Sequence, residues 1–577
     1  MITTAAGASL AYTVCYTTLI SAYAFENIPR TIGLIQPVLL FLGVCLSRVS
    51  ASFLLTWRLP VQGPSERLVR VLIYGAGSSG RQLAEAVSKT REMKVVGFLD
   101  DDDSIQGRSI GGFRVFAPRD LESLVPQLSI TDVLLALPSV PRRRRNEIID
   151  GLRKFSVGIR TLPGLLDLAS GRIQANDLRD LTIEDLLGRE PVEPDEASVR
   201  GKIEGRVILV TGAGGSIGSE LCRQIIAARP AKLLLVEASE FALYSINRQL
   251  DQYDAAAVVP LLGSVTDRRR MDHIMATWRP SMVFHAAAYK HVPLVEHNPL
   301  EGLRNNALGT MFMAELAVDY GASDFVLVST DKAVRPTNVM GASKRLAELC
   351  LQAMAAENTS TRLSMVRFGN VLGSSGSVVP LFREQIRAGG PITITHRNIT
   401  RYFMTISEAA QLVIQASTMA TGGEVFVLDM GEPVRIHELA RNLIQLSGLS
   451  VRDEAHPDGD IEICTVGLRP GEKLYEELLI GNNPLPTRHS RIMMAAEPYQ
   501  SLPALRPKLD RMAELITTNN LVEARKLLSE LVPEYVPSPQ IVDYIYVAEG
   551  HNERAPGAGA TREPAAGIHD RTRLHRR

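Results

Sequence analysis

The run VSTDKA (328–333) sets Thr330, Asp331 and Lys332 side by side. A hydroxyl, a carboxyl and an amine in succession can orient an oxygen, donate a proton and accept one. Such groups act as acid and base only where their surroundings tune their pKa values. A few residues on, NVMGASKR (338–345) carries Met340 and Lys344 four positions apart. That spacing puts both side chains on one face of a helix. A thioether cannot accept a proton at neutral pH, so Lys344 is the titratable member of the pair.

These groups need rigid elements beneath them. DFVLVST (324–330) is an apolar strand whose C-terminal end carries the triplet. In a doubly wound parallel sheet that edge faces the ligand crevice. The run GRVILVTGAGGSIGSELCRQII (205–226) reads as strand, glycine turn and helix. Gly212 permits the tight turn, Gly215 lets the backbone approach a pyrophosphate, and Gly218 allows close packing of helix on strand. Thr211, Ser216 and Ile217 complete that cradle. Exposed N–H groups at the helix start attract the anion. The GxxGxxG spacing resembles the extended short-chain dehydrogenase/reductase architecture. Glu237 ends the next strand, KLLLVE. A carboxylate there accepts from both ribose hydroxyls and repels a 2′-phosphate, which favours NAD over NADP. In that architecture the position of Met340 usually holds the Tyr of Tyr-x-x-x-Lys. Its loss means either a dead site or another proton carrier, and the Thr330–Asp331–Lys332 triplet favours the latter.

A chain of 577 residues is too long for one domain. Its formal charge is zero, which removes the global electrostatic argument for nucleic acid as a partner. Cys15, Cys45, Cys222, Cys350 and Cys464 form no CxxC pair, a scatter suited to a reducing compartment. The fold class expected is α/β: two Rossmann-like doubly wound parallel-sheet domains in tandem after an N-terminal transmembrane helical hairpin. The hairpin is expected over 1–58, with spans near 4–24 and 33–55, because a crossing helix needs about 20 apolar residues. Arg58, Arg67 and Arg70 follow it and put the remainder in the cytoplasm. The expected location is therefore the cell inner membrane, multi-pass, with the lipid bilayer as a partner. Residues 65–190 form the first Rossmann-like domain, of nucleotide-binding type. Its GAGSSG turn (75–80) and Asp100 suit either a nucleotide ligand or a packing role. Residues 200–500 form the catalytic domain, with a substrate lobe from about 375. A helical extension (501–549) and a disordered tail (550–577), rich in Gly, Ala, Arg and Pro, complete the chain.

VSTDKAVRPTNVMGASKR (328–345), taken with HAAAYKHVPLVE (285–296), resembles the membrane-associated nucleotide-sugar 4,6-dehydratases of bacterial polysaccharide biosynthesis. The resemblance covers roughly 30–500. It implies a UDP-sugar substrate, UDP-N-acetylglucosamine above all, and retention of configuration at C5. It also implies a homo-oligomer and the roles that follow. The C4 hydroxyl is oxidised by hydride transfer to the nicotinamide, Lys332 removes the acidified C5 proton through a lowered amine pKa, and Asp331 protonates the departing C6 hydroxyl. Thr330 holds the C4 oxygen. Ala286, Ala287 and Lys344 flank the cofactor.

The same resemblance marks substrate contacts. Lys290, Asn370 and the turn Gly373–Ser377 meet the sugar nucleotide, Arg401 and Arg469 suit the diphosphate, and Glu472 suits the uridine ribose. His285, His291 and His297 recur every six residues, which is no ligand spacing on one helix face. Two other classes compete. A UDP-hexose 4-epimerase would need the missing Tyr, and a non-catalytic membrane scaffold would not need Asp331, Lys332 and Lys344.

Overall fold

The computed structural model describes residues 69–161 and 195–550 with short gaps, together with Arg179–Asp180 and scattered positions before residue 48. Residues 551–577, most of the tail expected to be disordered, lie outside the described residues.

The expected transmembrane hairpin is corrected. Among the described residues no helix is long and apolar enough to cross a membrane. A bilayer core demands one continuous apolar helix, whereas the first expected span is diluted by Thr, Ser and Tyr and the second contains Arg48. Most of both spans lies outside the described residues. The multi-pass inner-membrane location and the bilayer as a partner lose their support with the hairpin.

A seven-stranded sheet gathers strands between residues 69 and 180. Its central strands Met93–Leu99, Val69–Tyr74, Asp132–Leu135 and Gly158–Thr161 lie in that spatial order, and the last three pair in parallel. Gly75 takes φ +100° at the end of Val69–Tyr74. A Cβ on Gly80 would lie 1.8 Å from the Gly75 carbonyl oxygen, so only glycine lets the following helix, Ser78–Ser88, start there. Asp100 closes the loop by accepting from the Ala76 N–H at 2.7 Å.

The second sheet has nine strands. Across it run Val258–Leu262, Lys232–Glu237, Val207–Thr211, Met282–His285, Asp324–Val328, Arg362–Arg367, Val425–Leu428, Ile492–Ala495 and Leu485–Pro486. The first seven are parallel neighbours, and the last two turn antiparallel. These strands are Val, Ile and Leu runs with little alternation, the pattern of a sheet covered on both faces. The order reverses between Val207–Thr211 and Met282–His285, and a crevice opens at such a switch point.

Helix Val339–Glu357 is buried on every side through most of its length. A helix buried all round belongs inside a core, where its polar side chains need partners. Strand residues such as Phe325 and Met365 pack against it, as do Leu505, Leu509 and Met512 of Leu502–Thr517 and Leu528 of Leu521–Leu531. Two arginines and two glutamates sit in that core. Arg367 donates to Glu348 at 2.7 Å and to Glu497 at 2.6 Å, and Arg345 lies 2.8 Å from Glu497. The charges balance, so none is left bare. Glu348 also accepts from the Ser329 hydroxyl at 2.6 Å, which ties the strand end bearing Thr330, Asp331 and Lys332 to the helix bearing Lys344.

A third sheet, Ile392–Ile394, Ile461–Thr465 and Val451–Arg452, packs with helices Val378–Arg387 and Ile436–Leu446 into a smaller lobe with its own apolar core.

Candidate active site

The C-terminal ends of the parallel strands and the small lobe enclose one cavity of about 880 Å³, within the range of small-molecule sites.

On one wall lies the glycine cradle. Gly212 has φ +64°, and a Cβ there would sit 2.8 Å from the Ala287 backbone. A Cβ on Gly218 would come within 2.0 Å of the Gly212 carbonyl oxygen. Gly215 caps helix Ser216–Ala227, and its N-terminus opens on the cavity through Gly215, Ser216, Ile217 and Gly218. Thr211 is fully buried, and its hydroxyl meets His285 Nδ1 at 2.9 Å and the Ala287 N–H at 3.4 Å. Burial drives the His285 imidazole down to about 3, so this histidine is a neutral strut. Glu237 accepts from the Gly214 N–H and the Ser239 N–H, each at 3.0 Å. Its carboxylate is thus already oriented at the strand end. Backbone donors, glycines that a Cβ would block and an oriented acid together fit a dinucleotide.

Thr330, Lys332, Met340 and Lys344 line the same cavity. Thr330 breaks the strand Asp324–Val328 by capping a 3-10 turn, Asp331–Ala333. That turn sends Asp331 inward to complete burial and Lys332 toward the cavity. Asp331 Oδ1 accepts from Thr330 Oγ1 at 2.9 Å and from Lys332 Nζ at 3.0 Å. Asp331 Oδ2 has no hydrogen-bond partner among the described residues. Burial lifts the Asp331 carboxyl above its ordinary value; the Lys332 charge opposes that and the Glu476 charge adds to it. Lys332 departs from the lowered amine expected of it. Burial pulls it down, but the carboxylates of Asp331 and Glu476 prevail and hold it above its ordinary value.

Lys344 Nζ donates to the Val328 carbonyl at 3.0 Å. Burial brings its pKa down from 10.5 to about 8. Met340 is 2% exposed one turn earlier and has no proton to give.

Asn370 lines the cavity, but its side-chain oxygen accepts from Lys332 Nζ at 3.1 Å. Arg401 is also engaged. Its guanidinium donates to the carbonyls of Thr400, Leu474 and Lys473 and faces Glu472 and Glu476, each at 3.4 Å. Glu472 accepts from Thr395 Oγ1 at 3.0 Å and from the Arg469 N–H at 3.2 Å. Arg469 is exposed at the cavity wall, and Lys290 and Ala286 line it too. Ser375 of the Gly373–Ser377 turn donates its N–H to Ser216 Oγ at 3.2 Å, closing the small lobe on the cradle. The cavity thus unites the expected residues except Thr211, Gly212, Glu237 and Ala287, which sit behind or beside its wall, and Asp331, which lies beneath it.

Three contributors were not singled out from sequence. Asn306 lies in a π-helical turn, Arg304–Leu308, a distortion frequent at functional sites. It clamps both backbone groups of Tyr289, at 2.8 and 2.9 Å, and reaches Ser343 at 3.1 Å. Glu296 accepts from the Val339 N–H at the start of the Lys344 helix. Glu476 faces Lys332 at 3.5 Å. The doubled acid in EKLYEE was its only local signal.

The family described as "Polysaccharide biosynthesis protein" matches residues 208–497. The Staphylococcus aureus capsular polysaccharide biosynthesis protein CapD is 46% identical over 71% of this chain and 68% of its own. The inverting UDP-N-acetylglucosamine 4,6-dehydratase of Campylobacter jejuni is 29% identical over 48% of this chain and 78% of its own. The UDP-glucose 4-epimerase of Rickettsia rickettsii is 31% identical over 48% and 77%.

Proposed function

The chain belongs to the polysaccharide biosynthesis protein family, and from that premise we propose that it is a nucleotide-sugar 4,6-dehydratase. The substrate is a UDP-hexose, UDP-N-acetylglucosamine above all. The product is the UDP-4-keto-6-deoxy sugar with C5 configuration retained, made for a surface polysaccharide. The observation that carries this reading is the Asp331–Lys332 pair, joined at 3.0 Å, its carboxyl fully buried and its amine on the wall of a cavity that also holds a dinucleotide cradle.

Bound NAD supplies a hydride acceptor for C4 and a donor for C6. Gly212, Gly215 and Gly218 would hold its pyrophosphate, Glu237 its adenosine ribose and Lys344 its nicotinamide ribose. Met340 stands one turn before Lys344 in place of a phenol, so the remaining proton work falls to the triplet. Elimination needs an amine base and a carboxylic acid at once. The resting pair, an ammonium and a carboxylate, contains the same number of protons. One transfer from Lys332 Nζ to Asp331 Oδ1 along the existing hydrogen bond converts it into a free amine and a protonated acid. Burial favours that neutral form. Oxidation at C4 releases the hydroxyl proton to solvent. Lys332 then takes the C5 proton, and Asp331 protonates the departing C6 hydroxyl. Lys332 returns its proton to C5 as C6 is reduced, and one proton from solvent restores the resting pair. Thr330 orients the C4 oxygen, and Arg469 is the exposed guanidinium suited to the diphosphate.

Incubation of the purified protein with UDP-N-acetylglucosamine tests the reading by product mass. Loss of one water supports it. An isomer of unchanged mass would make the chain an epimerase, and an untouched substrate would reject this sugar. Proton NMR of a dehydrated product reads the configuration at C5.

A further inference from the structure

Glu476 takes no part in the mechanism above, yet it is among the most buried charged groups near the cavity. Its side chain is 3% exposed and lies behind the wall formed by Lys332 and Arg401. One carboxylate oxygen is shared between Lys332 Nζ at 3.5 Å and Arg401 Nε at 3.4 Å. The other has no hydrogen-bond partner among the described residues. A buried carboxylate with one bare oxygen is costly unless its charge is used.

The segment bearing Glu476 is fastened along the catalytic loop. Thr337 and Asn338 donate to the Gly471 carbonyl at 2.9 and 3.0 Å. Lys473 donates to the Val334 carbonyl at 2.9 Å, and Arg335 pairs with Glu477 at 2.6 Å. These ties keep Glu476 in register with Lys332.

We propose that Glu476 is a positioning residue that sets the protonation balance of the Asp331–Lys332 pair. The proposal rests on the dehydratase reading for its catalytic meaning. Its carboxylate is closer to Lys332 than to anything else it could charge-pair with except Arg401, which serves as its counter-ion. It therefore stabilises the ammonium of the resting pair and opposes early transfer of the proton to Asp331. The charged groups around it are few. Asp331 and Lys332 come from the catalytic turn and Arg401 from strand Thr400–Arg401. On its own segment Glu472 turns to Arg401, and Lys473 and Glu477 turn to each other at 3.4 Å. Both members of the catalytic pair gain proton affinity from the Glu476 charge. Removing it lowers both together, so both limbs of a pH profile move the same way.

The test uses the full chain and two variants, Glu476→Gln and Glu476→Asp. Competitive labelling with acetic anhydride, read at Lys332 by mass spectrometry, gives the titration midpoint of that amine without any turnover. Glu476→Gln is expected to lower the midpoint by about one pH unit, and Glu476→Asp to give an intermediate value. A variant that melts as cooperatively as the wild type but keeps its midpoint overturns the proposal. Should Glu476→Gln not fold, a wild-type midpoint in Glu476→Asp overturns it equally. In turnover, the bell-shaped pH profile of Glu476→Gln is expected to slide to lower pH with KM for the UDP-sugar unchanged. A purely structural residue would reduce kcat without moving the bell. If the midpoint moves while the wild-type chain dehydrates no UDP-sugar, the positioning role stands and the dehydratase reading falls.

Discussion

Asp331 Oδ1 accepts two hydrogen bonds, from Lys332 Nζ at 3.0 Å and Thr330 Oγ1 at 2.9 Å, while Asp331 Oδ2 accepts none among the described residues. One oxygen of a fully buried carboxyl is thus saturated with donors and the other is bare. Such asymmetry suits a group that carries a proton for part of a cycle, and it ties adjacent residues into a single unit.

That unit predicts the outcome of breaking it. Lys332→Ala and Asp331→Asn should each lower kcat by roughly 10²–10⁴-fold, the usual contribution of a positioned acid or base. The double variant should lose little more than either single one, because residues that act as a unit are not additive. Steady-state turnover of the UDP-sugar measures this, and full activity in either single variant would remove the assignment.

Lys344 should reveal itself through pH. Its folded pKa of about 8 lies below its ordinary 10.5, so between these values the unfolded chain binds more protons than the folded one. Stability therefore rises with pH across that window, and the burial penalty is complete below it. Lys344→Met removes the penalty. The variant should be more stable than the wild type near neutrality, by at most roughly 3 kcal/mol. The difference should shrink as pH climbs from about 8 to about 10. Denaturant melts at several pH values test the sign, and a constant difference would contradict it.

Gly218→Ala should abolish NAD binding. A Cβ there falls 2.0 Å from the Gly212 carbonyl oxygen, and backbone cannot yield as a side-chain tip can. The cradle must then open, separating the helix N-terminus from the turn. NAD retained through purification, released by denaturation and quantified, reports the loss.

The two arginines should separate. Arg469 is exposed at the cavity wall, so Arg469→Ala should weaken UDP binding about tenfold, or about 1.4 kcal/mol, with stability unchanged. Arg401 caps three carbonyls and faces two glutamates. Arg401→Ala should instead destabilise the fold, by about 3 kcal/mol for a buried charge left unpaired. Calorimetric titration with UDP and thermal melts distinguish the two.

Much of the site was legible because its signals are local. TGAGGSIG sits between an apolar strand and an amphipathic helix, and the steric demands on Gly212 and Gly218 arise within a few residues. The Thr330–Asp331–Lys332 run ends a strand, and strand ends of a doubly wound sheet face the crevice. The N-terminal reading failed because a stretch free of charge is not by itself a helix long and apolar enough to cross a bilayer. Charge-free stretches diluted with hydroxyl side chains did not yield a membrane-spanning helix among the described residues.

By itself the sequence determined the nucleotide cradle, the strand that presents the triplet and the absence of a phenol at position 340. Each is set by neighbours a few residues away along the chain. Tertiary structure alone decided how the ionisable groups are tuned. Asn370 is turned to Lys332, Arg401 is taken up by carbonyls, and Glu476 arrives from a distant segment to hold the Lys332 ammonium. Electrostatic tuning depends on distance and burial in space, and only the folded chain supplies either.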